Sequence, residues 1–170
     1  MNKPFLLLIA GLPASGKTWL ARHLADKLAA THINSDNVRT ALGLRGQYGQ
    51  SAKQAVYNAM LERAGQALQA GEKVIVDSTF YKKKLRQAWM ELALKHMVPF
   101  YFIEIKIPET TAFQRLQKKR EDSEADWEVY QKIKKEWEPL ENPHLTLDAG
   151  TLSLEEMTQA TETYLVTMKK

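Results

Sequence analysis

The 170-residue chain contains no cysteine. Disulfides, thiolate metal sites and a cysteine nucleophile are thereby excluded, and the composition suits a reducing compartment. No stretch approaches the ~20 apolar residues of a membrane-spanning helix. Lys3 and the apolar run behind it faintly resemble a secretory leader. The run is too short for one, and cleavage there would cut into a glycine-containing motif, so a cytoplasmic location is expected. Repeats, low-complexity tracts and linkers are also absent, and one domain spanning 1–170 is the expectation. That length supports a real core. The formal net charge is only +4, which favours anionic ligands without by itself indicating nucleic acid. His23, His32, His96 and His144 are scattered, with no metal-ligand spacing.

What is present begins with Gly11-Leu12-Pro13-Ala14-Ser15-Gly16-Lys17-Thr18. It matches G-x-x-x-x-G-K-[ST], the Walker A or P-loop pattern. Gly11 and Gly16 can take backbone angles forbidden to other residues. The backbone of Leu12 to Thr18 can then turn its N–H groups, which all but Pro13 carry, inward on a polyphosphate. Lys17 adds a mobile positive charge for the β- and γ-phosphates, and the Thr18 hydroxyl suits Mg²⁺. The motif requires a strand before it and a helix after it. Phe5–Ala10 is wholly apolar, as a central parallel strand should be. Behind the motif, Leu20, Leu24, Ala25 and Leu28 recur at helical spacing.

Apolar runs alternate with amphipathic segments along the chain, which predicts an α/β fold with a parallel sheet. Strands are expected at Phe5–Ala10, Thr31–Asn34, Val74–Asp77, Phe100–Ile107 and Leu145–Leu147. Helices are expected at Lys17–Ala29, Asn37–Leu42, Ser51–Ala70, Lys82–Lys95, Thr110–Arg120, Trp127–Trp137 and Ser153–Met168. Gly71 suits a helix stop, and Ser153 with Glu156 reads as a capping box. Right-handed crossovers place the chemistry-bearing loops at the carboxyl edge of the sheet.

Three further stretches carry candidate chemistry. Asp36 follows the second strand and Arg39 lies one helical turn on. The first can accept the proton of an attacking hydroxyl, and the second can hold an anionic substrate; Asp36 can alternatively cap the helix. Val74-Ile75-Val76-Asp77 has a Walker B-like end; Asp77 can hold Mg²⁺ directly or through water, or can instead position the substrate or hydrogen-bond to the loop hydroxyl. Thr79, just beyond it, is assigned to the substrate. Arg115 to Arg120, an acidic arm and a helix from Trp127 describe a lid at about residues 115–137, which would exclude water. Arg120, and secondarily Arg115 at the nucleotide, would meet phosphoryl charge. The loop Arg45–Gln50 and the basic run Lys82–Arg86 each allow a substrate role or a plain surface role. Met60 and Tyr57 read as core.

The loop motif, Ser35-Asp36-Asn37-Val38-Arg39, Val74–Phe80 and the Arg120 lid together resemble the small P-loop kinases grouped with polynucleotide kinase and zeta-toxin-like kinases. The resemblance implies a nucleoside-monophosphate-kinase-like P-loop NTPase fold. Its five parallel strands would run in order 2-3-1-4-5, flanked by helices and covered by a helical lid. It implies ATP and Mg²⁺, with Lys17, Asp36 and Arg120 catalytic, Arg39 a substrate anchor, and Thr18 with Asp77 at the metal. Polynucleotide kinases usually carry a second acid beside the base, where this chain has Ser35 or Asn37. That departure weakens a nucleic-acid 5′-hydroxyl as acceptor. The same segment also resembles adenylylsulfate kinase, but Asn34 replaces that family's other acid.

The expectation is therefore a kinase acting on an unidentified hydroxyl of a small-molecule, nucleotide or polynucleotide acceptor. A GTPase lacks support, because no guanine-recognition motif is present and Asp77 leads to Phe80 rather than to glycine. A nucleotide-binding regulatory or RNA-binding module without transfer chemistry is the other alternative, although no RNP-type aromatic motif supports it.

Overall fold

The apolar run before the glycine motif forms β1, Leu6–Gly11, with all six residues buried. The computed structural model describes residues 3–118 and 125–168. Around β1 stand β2 (Thr31–Asn34), β3 (Val74–Ser78), β4 (Phe100–Lys106) and β5 (Leu145–Asp148). Every pairing is parallel and the order is β2-β3-β1-β4-β5, as the resemblance implied. The helices are α1 (Lys17–Leu28), α2 (Ser35–Ala41), α3 (Gln50–Gln69), α4 (Lys83–Lys95), α5 (Glu109–Leu116), α6 (Trp127–Lys135) and α7 (Leu154–Thr167).

Alternation along β1 divides the core. Leu6, Leu8 and Ala10 face Val56, Met60 and Ala64 of α3 and Trp89 of α4. Leu7 and Ile9 face Leu20 and Leu24 of α1 and Met157 and Leu165 of α7. A strand covered on both sides cannot carry polar residues on either, which accounts for its unbroken apolar run. The loops at its carboxyl end open where the strand order reverses, the position at which such sheets bind ligands.

The ends of the elements follow local chemistry. The helix expected from Asn37 starts at Ser35, because Asn34 caps it by accepting from the Asn37 N–H at 2.9 Å. Asp36 is therefore not the cap. Ser153 and Glu156 form the expected capping box, and Ser153 holds the Glu156 carboxyl below its ordinary pKa. The helix expected to reach Arg120 ends at Leu116, and Arg120 lies outside the described residues.

Phe113 meets Trp127 edge-on at 4.9 Å, Trp127 stacks on Tyr130 at 4.8 Å, and Lys134 pairs with Glu109. The end of α5 thus meets the start of α6, and the start of α5 meets the end of α6, so the two helices form an antiparallel hairpin. The return segment beyond it is acidic and docks on the start of α4. Glu138 donates its N–H to the Tyr81 carbonyl at 2.8 Å, and Lys83 pairs with Glu141 at 2.5 Å. Buried Arg86 donates to the carbonyls of Phe80 and Pro139 at 2.9 and 3.0 Å. Burial draws its guanidinium below its ordinary pKa, against the pull of Glu138, Glu104 and Glu141. Within the basic run, Lys82 and Lys83 meet acids of this segment while Lys83 and Lys84 stay exposed, so the run has its surface role and no phosphate-bearing substrate is needed to explain it. No helix among the described residues is long and apolar enough to cross a membrane.

Trp89 is fully buried and takes the edge of Phe80 at 5.9 Å. Trp89→Ala is expected to cost about 3–5 kcal/mol, the range for large aromatic truncations. Urea unfolding with an unchanged denaturant slope would register that loss as a lower midpoint.

Candidate active site

The turn out of β1 is shaped by two different glycine requirements. At Gly16 the backbone takes φ 90°. At Gly11 the constraint is space: a Cβ there would stand 2.5 Å from Ser15 Oγ and 2.9 Å from the Ile105 carbonyl. The second left-handed residue is Ala14, at φ 67°. Left-handed residues among right-handed ones curl a backbone so that successive N–H groups converge, which makes a concavity for anions. Leu12, Pro13, Ala14 and Ser15 form this curl, and Lys17 Nζ lies 3.4 Å from the Leu12 carbonyl. Ser15 Oγ is buried without a protein partner among the described residues. The start of α1 points its positive end at the same concavity.

Thr18 opens that helix and donates its hydroxyl to Asp77 Oδ1 at 2.7 Å. Asn34 Nδ2 reaches the same oxygen at 2.8 Å, and His32 Nε2 stands 2.5 Å from Oδ2. Asp77 has no exposed surface, so these bonds replace the water it gave up. Thr18 and Asp77 offer hard oxygen donors side by side, which suits Mg²⁺. Among the described residues no group of three or more His, Cys, Asp or Glu could hold a metal. Mg²⁺ is ordinarily held by one or two protein oxygens plus substrate phosphates, so the donor set fits it.

Beside the loop, Lys17, Asp36, Arg39 and Thr79 line one cavity of about 180 Å³. Tyr48 and Tyr57 contribute to its wall, as do Lys53 of α3 and Lys132 of α6. The loop Arg45–Gln50 therefore reaches the site: the Arg39 guanidinium lies 4.6 Å from the Tyr48 ring centre and donates to the Gln47 carbonyl at 2.5 Å. Met60 is core, as expected. Tyr57 packs against the core but turns its hydroxyl to Ser78 Oγ at 3.3 Å. Burial pushes that phenol above its ordinary pKa, partly offset by the Ser78 and Thr79 hydroxyls, so it is neutral at physiological pH.

Arg115 comes to the loop from α5 and donates to the Ala14 carbonyl at 3.0 Å. Arg120 falls outside the described residues, as do Lys119 and residues 121–124 of the acidic arm. Sequence reasoning missed His32 and Asn34 as partners of Asp77. Their signal lies in strand register, since Asn34 pairs with Asp77 and His32 sits two residues earlier on the same face. Lys53 and Lys132 had no local signal. Asp148 closes a turn by accepting from Gly150 N–H at 2.8 Å. A larger recess of about 700 Å³ lies between β4 and α6, where buried Glu104 is 3.2 Å from Lys106 and 3.7 Å from His144.

A parallel sheet in this order, a glycine-shaped phosphate loop at the end of its central strand, and a threonine–aspartate pair behind it define a small P-loop protein with a kinase-like fold. The chain belongs to the AAA domain family, whose family model matches residues 6–140. The crystal structure of APE1195 superposes with a TM-score of 0.77 at 22% identity, over 100% of this chain and 99% of that one. The Mycobacterium tuberculosis APS kinase CysC, solved with AMPPNP and APS, gives 0.76 at 17% identity, over 97% and 99%. A gluconokinase from Sinorhizobium meliloti 1021 gives 0.71 at 16%, over 100% and 99%. These likenesses establish the fold. By sequence, the chain is 33% identical over 100 residues to the uncharacterized protein Rv2004c of Mycobacterium tuberculosis (strain ATCC 25618 / H37Rv). Mb2027c of Mycobacterium bovis matches equally. Each match covers 52% of this chain but only 20% of the relative, so the matched region spans about a fifth of their length.

The same chemical change should have opposite signs at two glycines. Gly11→Ala is expected to destabilise by about 1–3 kcal/mol through overpacking against Ser15 and Ile105. Gly65, inside α3, leaves ordinary contact distances of 3.6 Å to His96 and Leu92. Gly65→Ala should stabilise by about 0.5–1 kcal/mol, from reduced chain entropy when unfolded. Thermal and urea midpoints of the two variants would reveal the contrast.

Proposed function

We propose that this protein is a kinase that transfers the γ-phosphoryl group of ATP to a hydroxyl of a small acceptor. The observation that carries the reading is the shared cavity of Lys17, Asp36 and Arg39 beside the phosphate loop. A nucleotide held in the loop would present its terminal phosphate toward Lys17, and an acceptor in the cavity would lie next to it. Binding of AMPPNP by the APS kinase of the same fold supports nucleotide at the loop.

In this mechanism the backbone of Leu12 to Thr18 and the Lys17 ammonium hold the polyphosphate. Asp36 accepts the proton of the acceptor hydroxyl. The acceptor oxygen bonds to the γ-phosphorus as the bond to the β,γ-bridging oxygen breaks, and ADP leaves. Thr18, its hydroxyl oriented by Asp77, would hold Mg²⁺, which when bound would supply positive charge to the polyphosphate. Arg39 and Thr79 orient the acceptor. Arg115 steadies the phosphate loop, and the α5–α6 hairpin acts as the lid that excludes water. We assign Arg120 to the transferring phosphoryl group. A cytoplasmic setting suits a cysteine-free enzyme that uses ATP.

Lys17→Ala is expected to abolish tight ATP binding, as read by calorimetry. Asp36→Asn should keep nucleotide affinity and lose transfer by about 10²-fold or more. Unchanged kinetics in that variant would remove Asp36 as the base. Arg120→Ala should lower kcat more than it weakens ATP binding; a change confined to KM for ATP would speak against its assigned role. ADP formation that requires an added acceptor separates a kinase from a binding module.

A further inference from the structure

We propose that Trp19 is the platform on which the base of the donor nucleotide stacks, with Arg115 on the other side of Gly16. The proposal rests on the kinase reading above. It adds a residue that grips the nucleoside, the part of the donor that a phosphate loop does not hold.

Trp19 supplies the leading observation. It is 63% exposed although it directly follows the Gly–Lys–Thr motif. Tyr48 and Phe113 are also exposed, but each is engaged, the first by Arg39 and the second by Trp127. Among the described residues no ring packs on Trp19 and no cation lies over it. Covering the open faces of an indole removes apolar surface from water, which favours any flat partner that can reach them.

The helix carries this ring to the loop. Thr18 turns in to Asp77 and Leu20 into the core, so Trp19 between them stands on the outer face of α1. Helical side chains lean toward the helix start, over the residues three and four positions earlier. For Trp19 those residues are Gly16 and Ser15, both in the phosphate loop. Arg115 reaches Gly16 from α5: a Cβ on Gly16 would stand 3.7 Å from its Nη1. A ring and a guanidinium thus flank a residue that has no side chain of its own. They do not stack on each other. Both groups are planar, and both pack against the faces of bases.

The direction of transfer agrees with this placement. The acceptor cavity takes in Pro13 and Lys17, but not Gly16, Trp19 or Arg115. In-line displacement puts the attacking oxygen and the departing ADP on opposite sides of the γ-phosphorus. With the acceptor in that cavity, the nucleoside leaves the loop away from it, past residues that do not line it. Trp19 follows the loop at once and meets that requirement. Stacking reads the face of a base rather than its hydrogen-bonding edge, so this contact adds affinity for the nucleoside without choosing among bases.

The experiment compares two ligands on the full chain by calorimetry, AMPPNP and inorganic tripolyphosphate, each with Mg²⁺. Tripolyphosphate fills the loop and has no base, so its binding also checks that each variant is folded. Trp19→Ala is expected to weaken AMPPNP about tenfold or more, the scale of one base–aromatic stack, and to leave tripolyphosphate within about twofold. Trp19→Phe keeps a ring and should recover most of the loss. AMPPNP should quench tryptophan emission in the wild-type protein, and most of that quench should be missing in Trp19→Phe although the ligand still binds. An unchanged AMPPNP affinity in Trp19→Ala overturns the proposal, and so does an equal loss for both ligands or a quench that persists in full in Trp19→Phe. Each of those results leaves the kinase reading standing. Wild-type protein that binds neither ligand takes down both.

Discussion

The candidate site depends on one buried carboxylate. Asp77 lies near the end of β3 with no access to solvent, where an unpartnered charge would be costly enough to disrupt the fold. Thr18 from α1, and Asn34 and His32 from β2, supply its hydrogen bonds. One functional group therefore locks the exit of the phosphate loop to two neighbouring strands. Asn34 does more, since its other amide atom caps α2. The helix that carries Asp36 and Arg39 is thus positioned by the same network that positions Thr18. The phosphate loop and the helix bearing Asp36 and Arg39 share one anchor.

A second network governs the covering hairpin. Its return segment is tied to the start of α4 through Glu138 and Glu141, and Arg86 joins the Phe80 and Pro139 carbonyls. Phe80 holds φ 48° while fully buried, an unfavourable backbone for an aromatic residue. The Arg86 bond to its carbonyl and the packing on Trp89 sustain that conformation. The loop bearing Ser78 and Thr79 is consequently set by the same contacts that anchor the hairpin. The cavity wall at Ser78 and Thr79 and the hairpin are held by common contacts on this side, while Arg115 meets the phosphate loop on the other.

Much of this was legible in the residues alone. The apolar run of β1, the alternation of strands and helices, and the Gly–Lys–Thr motif predict the layered architecture, because each reports a local requirement. Asp36, Arg39, Asp77 and Thr79 were found by their positions after strands. Element ends were less legible: α2 begins at Ser35 because a side chain two residues before Asp36 makes the cap. The role expected of Gly11 also changed, from a permitted backbone angle to a lack of room, with the left-handed angle passing to Ala14. The surface reading of the basic run Lys82–Arg86 holds for exposed Lys83 and Lys84, but the acidic partners of Lys82 and Lys83 lie more than fifty residues away in the chain and were not legible locally.

By itself, then, the sequence determined the class of fold and the chemistry of the phosphate loop. Hydrophobic periodicity and glycine placement act between neighbours in the chain, so they can be read without coordinates. Only the tertiary structure decided that His32 meets Asp77, that Tyr48 stacks on Arg39, and that Lys53 and Lys132 share a cavity. Those relations arise from strand register and from helices brought together across the sheet. No local rule of spacing encodes distances between segments that are remote along the chain.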